Sequence, residues 1–191
     1  PEQYDKLARE PLRLLERSLL RQAAEAPRVA RPVARLKLAQ AYLAHKSYPE
    51  AEGVLSVLSA DDPQFGNQKN VLFARALAAT FMGRFVEAAR LLAEPQLSQE
   101  PEQRLLQAMV DSKSLRHPQA VAGFKAGMEA LDRYPERLQG DFRRAAVEAA
   151  IEAGDPVFAR EQILAYEQID SSHRNPEVQQ LLAGRLAELE G

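Results

Sequence analysis

The stretch GRFVEAARLL, from Gly83 to Leu92, decides the fold because its spacing of residue types occurs four times along the chain. A turn residue comes first. A ring-bearing residue follows two positions later, an alanine five positions later and a large apolar residue nine positions later. The other windows are KSYPEAEGVL at 46–55, LRHPQAVAGF at 115–124 and GDPVFAREQI at 154–163. The sequence therefore predicts a repeated structural unit.

The spacing between the windows is typical of paired helices. The turn residues are Lys46, Gly83, Leu115 and Gly154, and the alanines are Ala51, Ala88, Ala120 and Ala159. Another residue of small or medium size stands twelve positions before each alanine: Ala39, Ala76, Ala108 and Val147. Small residues let two helices approach closely, and glycine adopts a left-handed corner conformation at low cost. We therefore expect helical hairpins joined by short corners.

Composition favours an ordered, all-α protein. The chain has 191 residues, of which 46% are hydrophobic and 27% charged, and alanine is abundant. The absence of cysteine excludes disulfides, thiolate ligands and cysteine nucleophiles. A net charge of −2 does not favour nucleic acid as a partner, and no apolar run approaches the ~18 residues of a membrane span. The compartment is unknown, because both cytoplasm and periplasm fit this composition.

The pattern predicts ten helices, at 11–25, 30–45, 49–59, 68–82, 85–93, 102–114, 118–132, 137–153, 156–168 and 176–189. We expect one domain over residues 1–191. It would hold an N-terminal helix at 4–25, repeats at about 30–59, 68–94, 102–132 and 137–168, and a C-terminal helix at 176–189. The first helix is either unpaired or the second half of a preceding hairpin. The last helix either caps the array or begins another repeat.

The four windows resemble the tetratricopeptide repeat family, in which a unit of 34 residues forms helix, turn and helix. The first window carries the resemblance through Leu38, Ala39, Tyr42, Tyr48 and Ala51, and the second through Ala76, Gly83, Phe85 and Ala88. The last two windows are degenerate. Arg35 in the first repeat, Arg104 in the third and Arg143 in the fourth stand where the family has a large apolar residue, and Asp111 stands where it has tyrosine. The resemblance implies an all-α fold, a right-handed α-solenoid of antiparallel helical hairpins.

The resemblance also implies a protein-binding groove, lined in that family by the first helix of each hairpin. Transferred onto this sequence, the partner-binding positions are Val33, Leu36, Gln40, Leu43, Asn70, Phe73, Leu77, Phe81, Leu105, Met109, Arg144 and Glu148. These positions are mostly apolar, so the groove suits an amphipathic helix of a protein or peptide partner. The alternatives are that helix 11–25 of the same chain fills the groove, or that a second copy does.

The sequence shows little catalytic chemistry. His45, His117 and His173 are far apart and lack metal-ligand spacing. The Gly-x-x-x-Gly of Gly123 and Gly127 lacks the features of a phosphate loop and predicts a close contact between helices. Glu148 and Glu152, one turn apart, are interpreted as a solvated or partner-facing acidic stripe. We therefore expect no enzyme activity, no cofactor and no metal.

The functional prediction is a non-catalytic protein-interaction or scaffold module. The chain begins at Pro1, and arginine exceeds lysine by 19 to 6, so we interpret it as part of a longer bacterial protein. One alternative is a homo-oligomerisation module that associates through its terminal helices. Another is a ligand-responsive regulator or enzyme with a polar pocket around Arg144, Glu148 and Glu152. The arginines at 13, 17 and 21 are interpreted as a solvated face, with an acidic partner as the alternative.

Overall fold

The regular elements of the chain are all helical over the residues that the structure describes. The structure is a computed structural model that describes residues 7–191 apart from 9, 99, 135, 171, 173 and 174. The α-helices in this part of the chain are α1 (Leu12–Glu25), α2 (Arg31–Ala44), α3 (Tyr48–Asp61), α4 (Pro63–Gly66), α5 (Lys69–Phe81), α6 (Phe85–Leu92), α7 (Pro101–Lys113), α8 (His117–Leu131), α9 (Glu136–Glu152), α10 (Pro156–Glu167) and α11 (Pro176–Glu190). A 3₁₀ turn spans Pro95–Leu97. The predicted all-α class is confirmed.

Each of the ten helices drawn from the sequence pattern has a counterpart whose ends lie within two residues of the prediction. The pattern missed α4 and the 3₁₀ turn, which lie in predicted loops. Asp62 explains α4, because its carboxylate accepts a hydrogen bond of 3.0 Å from the backbone of Phe65 and Pro63 pre-sets the first helical residue.

The N-terminal helix does not run unbroken from 4 to 25. Residues 7 and 8 are helical, residue 10 is a bend, and α1 begins after Pro11, while residues 4–6 and 9 lie outside the described residues. A proline has no N–H to donate and restricts the residue before it, so a helix cannot continue through this point at ordinary cost.

The four corners between paired helices share one geometry. The predicted turn residues have left-handed backbones, with φ of 60° at Lys46, 75° at Gly83, 61° at Leu115 and 72° at Gly154. The backbone N–H of the residue after the corner donates to the carbonyl oxygen five residues before it. The distances are 2.9 Å for Ser47, 2.8 Å for Arg84, 2.9 Å for Arg116 and 2.8 Å for Asp155. The corner residue itself donates to the carbonyl three residues back, over 3.0 to 3.2 Å. This pair of hydrogen bonds defines the Schellman motif.

The corner fixes where the second helix begins and which residues face the first. The ring-bearing residues Tyr48, Phe85, His117 and Pro156 are the first residues of α3, α6, α8 and α10. All four window alanines are fully buried, and so are Ala39, Ala76 and Ala108, while Val147 is 1% exposed. The predicted roles of these positions in helix packing are confirmed.

The chain divides into two compact units, one up to Gln103 and the other from Arg104. In the first unit α1 packs against α2, α2 pairs with α3, and α5 pairs with α6 and also contacts α2 and α3. In the second unit α9 packs against α8 and pairs with α10, and α11 contacts both α9 and α10.

Helix α11 has the position of a first helix of a hairpin. It contacts α9 and α10 just as α5 contacts α2 and α3. Gly191 has φ of 84° and lies seven residues after Gly184, the separation between Ala39 and Lys46 or between Ala76 and Gly83. Both expectations for this helix, a cap of the array and the start of another repeat, stay predictions.

The Gly-x-x-x-Gly of α8 lies against α7. A Cβ on Gly123 would stand 2.9 Å from the Cβ of Ala108, and one on Gly127 would stand 2.7 Å from the Cγ of Leu105. The predicted close helix contact is confirmed. Among the described residues, no helix combines the length and apolar character needed to cross a membrane.

The corner geometry predicts that Leu115→Gly stabilises the protein. A left-handed backbone strains a side-chain-bearing residue by about 1–2 kcal/mol, and Leu115 is 79% exposed, so little packing is lost. Glycine loses more chain entropy on folding than leucine, which costs about 0.5–1 kcal/mol. We therefore expect the free energy of unfolding to rise by up to ~1 kcal/mol, as measured by urea denaturation. The matched control is Leu164→Gly, a 55% exposed site inside α10, which should lose about 1 kcal/mol. A loss at both sites would contradict the explanation.

The helix contact predicts opposite outcomes for one substitution at two glycines. Gly123→Ala should lower the free energy of unfolding by about 1–3 kcal/mol, because the methyl of Ala108 cannot rotate away. Gly53→Ala in α3 should raise it by about 0.5–1 kcal/mol, because a Cβ there meets nothing within 4 Å. Thermal and urea denaturation of both variants measure the difference, and equal effects would show that α7 and α8 are not in close contact.

Candidate functional site

The predicted groove is closed at five of its apolar positions. The side chains of Leu36, Leu43, Leu77, Leu105 and Met109 are buried, with exposures of 6% or less. The first helix of a hairpin contacts its partner helix and neighbouring helices, so these faces lie in the core and are not open to a partner. The expectation that these five residues line a largely apolar binding groove is therefore corrected, while partner binding itself stays a prediction.

The other predicted groove residues are accessible to different degrees. Val33 is 59% exposed and Asn70 is exposed, whereas Gln40, Phe73, Phe81, Arg144 and Glu148 are half-buried. Phe81 stacks on Tyr48, with ring centroids 4.9 Å apart and planes 8° from parallel. Phe81 thus links the end of α5 to the start of α3, which gives this ring a structural role that its sequence position did not indicate.

The acidic and basic residues proposed for a polar pocket form surface ion pairs. Glu148 lies 2.9 Å from the Nζ of Lys113 and 4.0 Å from the Nε of Arg144, and Glu152 pairs with Arg185. The side chains of Arg144, Glu148 and Glu152 are 41%, 30% and 48% exposed. They do not form the buried titratable cluster that the enzyme or regulator alternative requires at this place.

The described histidines have separate positions. The Nε2 of His45 lies 3.0 Å from the carbonyl oxygen of Leu7, and His117 is the first residue of α8. His173 lies outside the described residues. Within the described part of the chain, no three His, Cys, Asp or Glu side chains are placed to hold a metal ion.

Polar residues at positions where the resembling family has apolar ones connect helices. Arg143 is 8% exposed, and its guanidinium donates to Gln162 at 2.9 Å and to Asp132 at 2.6 Å. Arg35 donates to Asp61 at 2.6 Å. Asp111 accepts hydrogen bonds of 2.6 and 3.0 Å from Arg116, next to the corner.

An accessible apolar cleft lies between the end of α1 and the first turns of α2. Its volume is about 560 Å³, and its lining residues are Gln22, Glu25, Ala26, Ala30, Val33, Ala34 and Lys37. Val33 is the only predicted groove residue in this lining. The alanines leave room for an inserted side chain, and Glu25 and Lys37 supply one charge of each sign.

Helix α1 is attached to α2 by a tyrosine–glutamate hydrogen bond. The hydroxyl of Tyr42 donates to a carboxylate oxygen of Glu16 at 2.8 Å, and Leu19 of α1 is buried. Burial, followed by this hydrogen bond and the negative charges of Glu16 and Glu50, raises the pKa of Tyr42 to about 12. A helix of the same chain therefore covers one side of α2, and whether it also fills the predicted groove stays a prediction.

Comparison of the chain with protein-family models, with curated proteins and with solved structures gave no match.

The raised pKa of Tyr42 predicts a loss of stability in alkaline solution. Between pH 10 and about 12 the unfolded chain loses the Tyr42 proton and the folded chain keeps it, so the free energy of unfolding falls as the pH rises. Below pH 10 this contribution is fully present. Urea denaturation across this pH range should show a smaller fall for Tyr42→Phe, because the other titrating groups are the same in both chains. Identical pH slopes would contradict the raised pKa.

Proposed function

We propose that the chain is a tetratricopeptide-like module that binds a protein or peptide without catalysing a reaction, as part of a longer bacterial protein. Its hairpins would follow the right-handed solenoid arrangement of that family. The four Schellman corners and the buried small residues support this assignment, because they are the features on which the sequence resemblance rests.

The observation that carries the binding proposal is the cleft at Val33. A partner that inserts one large apolar side chain between Ala26, Ala30 and Ala34 would cover Val33, which is 59% exposed. Full burial of a leucine or phenylalanine side chain contributes about 1.5–3 kcal/mol. Affinity at the micromolar level, ~8 kcal/mol, therefore needs further contacts along the partner.

The charges beside the cleft define the chemistry of the partner. Glu25 and Lys37 lie at its edge, so a short amphipathic helix with an apolar anchor between one basic and one acidic residue would match both. The non-catalytic part of the proposal is supported by the ion pairing of Glu148 and Glu152, which leaves these acids partly exposed and bound to separate cations.

A second candidate function is self-association through α11. Leu181 is 63% exposed and Leu189 is 38% exposed on this terminal helix. A second copy would cover these side chains, which would raise the molecular mass measured by light scattering and would be reversed by Leu181→Glu.

The protein-binding proposal predicts a selective effect of Val33→Asp. Helical peptides selected from a displayed library for binding to the chain should carry an apolar anchor and should bind Val33→Asp at least about tenfold more weakly, since a buried carboxylate would replace an apolar contact. Val86→Asp is the matched control, because Val86 is 89% exposed on α6 and should leave binding unchanged. Circular dichroism checks that both variants keep their helical content. Failure to select any peptide, or equal binding by both variants, would contradict the proposal.

A further inference from the structure

A pocket in the N-terminal unit concentrates three arginines at the start of α2. Its volume is about 680 Å³, and its lining residues are Arg28, Arg31, Pro32, Arg35, Leu58, Asp61, Asp62, Pro63 and Gln64. The residues come from the turn before α2, from α2 itself and from the end of α3 with the start of α4. Tertiary packing thus brings together two chain segments about 30 residues apart.

The two carboxylates of the pocket already have partners. Asp61 accepts a hydrogen bond of 2.6 Å from Arg35, and Asp62 caps α4 through the backbone of Phe65. Neither Arg28 nor Arg31 pairs with a carboxylate of the described residues. The lining therefore carries three positive and two negative charges, a net charge of +1, and of its three arginines only Arg35 forms an ion pair among the described residues.

The side chain of Arg31 in the pocket wall makes one hydrogen bond to the backbone and leaves another of its donors without a partner among the described residues. One Nη donates to the carbonyl oxygen of Ala26 at 3.3 Å, and its Nε is buried without a hydrogen-bond partner among the described residues. The first turn of α2, which has no side-chain cap, adds the positive end of the helix dipole to the same place.

We propose that this pocket binds a small molecule that carries a phosphate group. Guanidinium groups match phosphate oxygens in paired hydrogen bonds, and the arginines would hold the anionic end. The pocket has the volume of a small-molecule site and is larger than one phosphate group, and the exposed Pro63 offers apolar contact to the rest of the ligand.

Asp61 gives the pocket a competing internal anion. Its side chain is 58% exposed and forms an ion pair with Arg35. A bound phosphate must share Arg35 with Asp61 or displace it. Removal of the Asp61 charge should therefore strengthen phosphate binding, whereas removal of Arg28 or Arg31 should weaken phosphate binding.

The test is isothermal titration calorimetry of the whole chain with sodium pyrophosphate at low ionic strength. We expect saturable binding at one site, at least tenfold weaker binding for Arg31→Gln and for Arg28→Gln, and several-fold tighter binding for Asp61→Asn. Arg28 is exposed, so its variant tests the site without disturbing the fold.

Two controls separate the site from general charge attraction. Arg13→Gln, at an exposed position of α1, removes one positive charge as Arg28→Gln and Arg31→Gln do. Glu188→Gln on α11 removes one negative charge as Asp61→Asn does. Both controls should leave the affinity for pyrophosphate unchanged. Equal changes in these controls, or an absence of saturable pyrophosphate binding, would overturn the proposal. Malonate is the dicarboxylate probe, and affinity for malonate equal to that for pyrophosphate would overturn the assignment to phosphate.

Discussion

The left-handed corner with its two hydrogen bonds is the constraint on which each hairpin depends. It reverses the chain within three residues, so the second helix begins at the ring-bearing residue. The alanine five positions after the corner residue then faces the first helix. The alanines can then be fully buried only if the opposite positions are also small or well fitted, as at Ala39 and Ala76. Helix pairing and the burial of the window alanines therefore depend on one local geometry.

Polar groups add specificity to this apolar packing. In the first unit Arg75 lies 3.4 Å from Glu52 and 3.7 Å from Glu87, which connects α5 with both α3 and α6. In the second unit Arg143 is nearly buried, and it is tolerated because Gln162 and Asp132 accept its hydrogen bonds. Buried charges contribute little net stability, but a wrong helix register would leave them unpaired. These contacts thus favour one arrangement of helices over nearby alternatives.

The sequence predicted the corners and helix ends well because both are encoded over ten or fewer neighbouring residues. It did not predict which faces of the first helices remain open, since that depends on contacts with helices distant in sequence. Phe81 is the clearest example, because Tyr48, 33 residues away, stacks on its ring. The arginine pocket was missed for the same reason. Arg31 and Asp61 show no common motif, and only the packing of α2 with α3 brings their segments together.

The cleft and the arginine pocket lie on different faces of the same helical turn. Ala30, Val33 and Ala34 line the cleft, while Arg31 and Arg35 line the pocket, as the 3.6-residue period of α2 requires. Each surface can therefore change by substitution without altering the lining of the other. Occupancy of one site would influence the other only if the first turn of α2 had two arrangements to which a ligand binds differently. If the first turn of α2 is rigid, the peptide and the anion bind independently. If an anion at Arg31 orders this turn, it also fixes the backbone beneath Val33 and so changes the affinity for the peptide. Measurement of the peptide affinity with and without pyrophosphate distinguishes the two cases. One such comparison is enough, because any effect of pyrophosphate on peptide binding equals the effect of the peptide on pyrophosphate binding.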